Sequence, residues 1–122
     1  MAKKRFVCKV LNTDSVPDDI GDTFAPKSLI YEKTIPVFFT MDKGLSQQEV
    51  GTAFLTEQAE GYYAECSVDF KFPKGAKLFP SVAGVVNHRG GPDGRIITEA
   101  HIDRLLFHYS PNSDKRIEPV IL

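Results

Sequence analysis

The sequence predicts a mainly β domain with minor α, a small single-domain β-barrel or curved sheet over residues 1–122. Three features carry this reading. Residues 61–69 alternate cleanly, with Tyr62, Ala64, Cys66 and Val68 on one face and Tyr63, Glu65, Ser67 and Asp69 on the other. Thr34-Ile35-Pro36-Val37-Phe38-Phe39-Thr40 is the short, nearly continuous apolar run expected of a strand buried on both faces. Arg89-Gly90-Gly91-Pro92-Asp93-Gly94 is the strongest turn signal in the chain, because glycine supplies the positive φ values of a tight reversal.

The remaining elements follow in order. Residues 5–11 read as a strand with Phe6, Cys8 and Val10 on one face and Lys9 on the other. Residues 12–22 hold four aspartates, a proline and a glycine, the composition of an irregular loop. Asp22 or Thr23 then caps a short expected helix through Pro26-Lys27-Ser28-Leu29-Ile30, since proline is tolerated in a first turn. Pro36 places the 34–40 strand at a sheet edge or at a strand start. Residues 50–56 and 61–69 form a hairpin across Glu57-Gln58-Ala59-Glu60. Residues 71–77 make a basic connector, and residues 81–88 are strand-like. Over 98–107 strand and helix compete, because Ile97, Ala100, Ile102, Leu105 and Leu106 also fit helical spacing. Strand is favoured, since Ile96-Ile97 follows the turn directly and the segment closes on Phe107 and Tyr109. Pro111 ends it, and residues 117–122 read as a final edge strand.

With 122 residues, 42% hydrophobic and 25% charged, the chain is long enough for one real core and is not a disordered composition. Fifteen basic and sixteen acidic residues leave a net charge of -1, which supplies no surplus to neutralise phosphates, so nucleic acid is not expected as a partner. Cys8 and Cys66 lie far apart in sequence, outside any CxxC or zinc spacing, and read as small buried hydrophobes of a reduced intracellular protein. The basic start Met1-Ala2-Lys3-Lys4-Arg5 leads into an apolar run too short for a signal peptide or membrane span, so no membrane partner is expected.

No phosphate-cradling glycine pattern and no calcium-loop pattern occurs, so neither a cofactor nor a metal is expected. The histidines are His88, His101 and His108, and the nucleophile candidates are Ser81, Ser110 and the two cysteines. On a strand, His108 and Ser110 share a face at roughly 7 Å, beyond the reach of a general base unless the side chains lean together. A hydrolase pairing Ser110 or Ser81 with one of the histidines is therefore the secondary reading. The 70–79 connector interleaves Phe70, Phe72 and Phe79 with Lys71, Lys74 and Lys77, a pattern that suits a contact surface, and Asp14, Asp18 and Asp19 of the first loop are candidates alongside them.

The order of several segments resembles the protease domain of tailed-phage prohead maturation proteases, whose fold is shared with the herpesvirus assemblins. An Asp-rich loop ends in Gly21-Asp22-Thr23-Phe24, and Ile35-Pro36-Val37-Phe38-Phe39-Thr40-Met41-Asp42 precedes Val50-Gly51-Thr52-Ala53. Gly61-Tyr62-Tyr63-Ala64-Glu65-Cys66, Ser81-Val82-Ala83-Gly84-Val85-Val86 and Gly94-Arg95-Ile96-Ile97-Thr98-Glu99-Ala100-His101-Ile102 follow, and Ser110-Pro111-Asn112-Ser113-Asp114 closes the series. The resemblance implies an assemblin-like barrel, with a histidine before the aspartate after the first buried strand and a nucleophilic serine shortly before the closing proline. Met41 stands at the first place, and the second falls at or beside Leu106. Methionine cannot take up a proton and leucine cannot attack a carbonyl.

The resemblance therefore implies a protease fold without protease chemistry. Its expected role is a bacteriophage virion protein, a decoration or head-stabilising subunit assembled in the host cytoplasm. Its expected partner is the major capsid protein, with a homo-oligomer as a further possibility. An active phage serine protease processing capsid proteins and a small phage protein-binding module are the alternatives.

Overall fold

Alternating β-branched and aromatic residues build nine strands, and no helix occurs among the described residues. The computed structural model describes residues 3–14, 16–40, 47–72, 74–91, 94–110, 112 and 114–121, with only the backbone for 86–91. The strands are β1 (Lys4–Asn12), β2 (Asp22–Phe24), β3 (Leu29–Tyr31), β4 (Ile35–Thr40), β5 (Gln47–Gln58), β6 (Gly61–Val68), β7 (Lys77–Gly91), β8 (Gly94–His108) and β9 (Val120–Ile121). The sheet runs β1-β6-β5-β4-β8-β7-β9, with β2 and β3 paired to β8 off this path. Because β1 also packs against β7, the sheet curls into a nearly closed barrel.

Pairing explains the curl. β1, β6 and β5 are antiparallel neighbours, and so are β5 and β4. β4 then runs parallel to β8 with Val37 opposite Leu105, a ladder that starts one residue past Pro36. That is the strand-start position a proline tolerates. On the other side of β8, β7 runs antiparallel along nearly its whole length. Strand β8 thus holds the structure together, since β2 and β3 also lie parallel to it.

The expected helix at 26–30 is absent. Pro26 and Lys27 form a turn, Lys27 adopting φ +59°, and Leu29–Tyr31 is a strand instead. A strand wins because β8 offers a free parallel edge there, and the buried Tyr62 hydroxyl accepts the Leu29 N–H at 3.2 Å. The expected reversal at 89–94 is narrower than its signal: Arg89, Gly90 and Gly91 still pair with β8, and residues 92 and 93 lie outside the described set. At the C-terminus the strand shrinks to Val120–Ile121, while Ile117 is buried in a turn.

The barrel interior holds Val10, Ile35, Val37, Val50, Leu55, Ala64, Val68, Ile97, Leu105 and Phe107, all buried. Phe39 lies at the centre of an aromatic cluster, with Phe70, Phe72 and Tyr109 at centroid distances of 5.6, 5.2 and 5.6 Å. Such tilted and edge-on pairs add to the gain from area burial.

The seam between β1 and β7 is covered by the chain after β8. Asp114, buried there, accepts from the Asn12 side-chain amide at 2.9 Å and from Arg116. Arg116 reaches on to Asp14 at 2.6 Å and to the Val16 carbonyl. Burial alone would raise the Asp114 carboxyl, but the bonds from Arg116 and Asn12 outweigh it and hold the group below its ordinary range.

Candidate functional site

Two strands bring the chemistry-bearing residues together. Ser81 of β7 stands opposite Leu106 of β8, and Phe79 stands opposite His108, so Ser81 and His108 are diagonal neighbours. Their flanking residues Leu78, Pro80, Leu105 and Phe107 are buried, which turns Ser81, Leu106 and His108 to the outer wall of the barrel. There the Ser81 Oγ and His108 Nε2 lie 2.8 Å apart.

Asn112 completes the group. Its Oδ1 accepts the Asp114 backbone N–H at 2.8 Å, which turns Nδ2 toward β7. Nδ2 donates to the Pro80 carbonyl at 2.6 Å and to the Ser81 Oγ at 3.2 Å. With one oxygen lone pair of Ser81 occupied, its O–H is available to donate to His108 Nε2, the arrangement of a nucleophile and its base. Burial pushes the His108 imidazole below its ordinary value, and the Ser110 backbone opposes this more weakly, so the ring is neutral at pH 7.

Among the described residues, other parts of a hydrolytic centre are missing. The buried His108 Nδ1 faces no carboxylate among the described residues, so none orients the ring. The space beside Ser81 is about 100 Å³ and is walled by Leu11, Asn12, Asp22, Phe24 and Asp114. That is smaller than the several hundred Å³ typical of small-molecule sites. A roomier depression, about 540 Å³, lies elsewhere, on the β1-β6-β5 wall between Val7, Phe54, Glu65 and Arg5. No group of acidic, histidine and cysteine side chains with metal-binding geometry occurs among the described residues.

The residues singled out in the sequence are distributed as follows. His108 sits in the constellation, but its partner is Ser81; Ser110 lies in the bend after β8 and touches the ring only through its backbone. His101 is exposed beside Glu99 at 3.2 Å, the His88 side chain lies outside the described set, and so does Met41. Leu106 is half-buried in register with Phe38 on one side and Ser81 on the other.

In the connector, Phe72 is buried and Phe70 packs against it at 4.8 Å, both rings belonging to the Phe39 cluster. Phe79 is half-buried in β7, and Lys71, Lys74 and Lys77 project to solvent. Asp18 accepts the backbone N–H groups of Ile20 and Asp22 at 3.0 and 2.9 Å, which shapes the first loop. Asp14 caps the Val16 N–H and pairs with Arg116, while Asp19 is exposed. Asn112 was not legible as a site residue, because nothing in its local sequence shows that it folds back onto β7.

Large apolar side chains also lie on the outer surface. Ile30 of β3 and Val85 of β7 flank His101 of β8 in one cross-strand row, and they are 45% and 70% exposed. On the opposite wall Val7 is 62% exposed. No family model, no curated protein and no solved structure matches this chain.

Proposed function

We propose that the chain is a non-catalytic structural protein of a bacteriophage virion, a capsid-associated decoration or head-stabilising subunit that works by contact with the major capsid protein. Leu106 is the observation that carries this reading. It stands on the outer wall between Phe38 and Ser81, an aliphatic side chain at the place where the resemblance to the prohead proteases expects the attacking serine. The exposed aliphatic row of Ile30 and Val85 and the lysines of the 71–77 connector supply a surface suited to binding a protein. The test is quantitative mass spectrometry of purified particles from the phage that encodes the chain. Many copies per particle are expected, and absence from the particle overturns the proposal.

A second reading, a serine hydrolase acting on capsid proteins, is favoured by the 2.8 Å contact between Ser81 and His108. A fluorophosphonate probe separates the two readings. Labelling of Ser81 that disappears in His108→Gln supports the hydrolase, whereas an unlabelled chain supports the contact protein.

A further inference from the structure

Cys8 and Cys66 are 58 positions apart in the sequence, yet they occupy adjacent strands of the barrel. Cys8 is in register with Ala64, and Cys66 is in register with Phe6, which makes the two cysteines diagonal neighbours on β1 and β6. Both side chains are on the core face: Cys66 is buried, and Cys8 is half-buried against the core. The Cys66 thiol leans along β6 toward the row of Cys8, with Sγ 4.0 Å from the Ala64 carbonyl oxygen. Ala64 directly opposite Cys8 carries only a methyl group, so nothing bulky separates the two sulfurs.

We propose that Cys8 and Cys66 form an oxidisable thiol pair that closes to an intramolecular disulfide across β1 and β6. Diagonal cross-strand neighbours are about 7–8 Å apart, beyond the Cα separations that a disulfide spans, so closure requires the backbone of the edge strand to shift toward β6. Strand β1 can make that adjustment, because it hydrogen-bonds to β6 on one side and its ladder already shifts between Lys9 and Leu11.

The two thiols have different roles in the exchange. Cys8 lines a depression of about 340 Å³ at the seam, with Lys9, Glu118 and Val120, and is the thiol that a small oxidant reaches. Cys66 is held protonated by its contact with the Cys8 thiol and by burial, so it does not react first. With a low-molecular-weight disulfide such as glutathione disulfide, the Cys8 thiolate attacks one sulfur and expels one glutathione thiolate. Cys66 then loses its proton, attacks the Cys8 sulfur of the mixed disulfide and expels the second. Two protein thiols and one glutathione disulfide become one protein disulfide and two glutathione molecules.

The experiment treats the folded full-length chain with excess glutathione disulfide and follows it by intact-mass measurement and non-reducing peptide mapping. The expected product is a monomer lighter by two hydrogens, with a peptide joining Cys8 to Cys66. Its melting temperature should rise by on the order of 10 °C and return on reduction. Cys66→Ser should stop at a glutathione adduct on Cys8, and Cys8→Ser should stay unmodified while folded. A wild-type chain that stops at the adduct, forms only intermolecular dimers, or keeps both thiols free would overturn the proposal.

Discussion

The Asn12 side-chain amide donates to Asp114 Oδ2 at 2.9 Å, joining residues 102 positions apart across the seam between β1 and β7. Asp114 also accepts from Arg116, so a single carboxylate fastens the C-terminal segment to β1. Asp114→Ala takes the partner from the half-buried Asn12 amide and leaves Arg116 held only by Asp14 and the Val16 carbonyl. It should lower unfolding stability by about 1–3 kcal/mol in urea titrations, with Asp114→Asn losing less.

The depressed imidazole of His108 has a consequence for acid stability. Burial lowers its folded value below the ordinary 6.5, so the unfolded chain takes up the proton first as pH falls. Stability is therefore full above about pH 7 and declines through the window below about 6.5. Asp14 and Asp114, which are lowered from 3.8, add their loss only at more acid pH. Melting temperatures of the wild type should fall between about pH 7.5 and pH 5 more steeply than those of His108→Gln.

Gly51 of β5 stands in register with Val68 of β6, its backbone close against that of Ser67. A methyl group at this position would collide with the Ser67 carbonyl, which is backbone and cannot swing away. Gly51→Ala should therefore cost more than the 1–3 kcal/mol of ordinary overpacking. The readout is a loss of soluble folded protein or a large drop in the urea midpoint, whereas Gly75→Ala meets open space and should cost only about 1–2 kcal/mol for placing alanine at φ +77°.

Phe39 anchors the connector through Phe70 and Phe72. Phe39→Ala should cost about 3–5 kcal/mol. It should also release the 70–76 segment, so that limited trypsin digestion cuts after Lys71 and Lys74 before any other site. The wild type should resist cleavage there under the same conditions.

How much of this was legible in the sequence depended on local regularity. The strict alternation of β6 and the apolar run of β4 carried their own assignments, since the core sits on one side of β6 and sheet pairing flanks β4 on both edges. In β8 the ambiguity between strand and helix has a structural cause. The ladder with β7 skips Thr98 and Asp103, so the inward residues fall at Ile97, Ala100, Ile102, Leu105 and Phe107. Two bulges turn a period of two into steps of three and two, which imitates helical spacing. The site was less readable, because Ser81 and His108 meet through ladder register and Asn112 arrives by a fold of the chain. Neither leaves a mark at short range. Asp22 shows the same limit: as a loop aspartate it promised a cap, and as a strand residue it takes a two-pronged bond from Arg95, its register partner.

The central place of β8 also dictates when the chain can fold. Strands β2, β3 and part of β4 emerge early in synthesis, but their parallel partner comes some 65–75 residues later. Until residue 108 has left the ribosome, only the β1-β6-β5-β4 meander has its neighbours, and its apolar face is uncovered. Closing such long loops is entropically slow, and the reward is deferred to the last step. A nascent chain of this kind spends its early life as a half-barrel in need of shielding, and a stall between residues 70 and 90 exposes more of it to aggregation than a stall anywhere else.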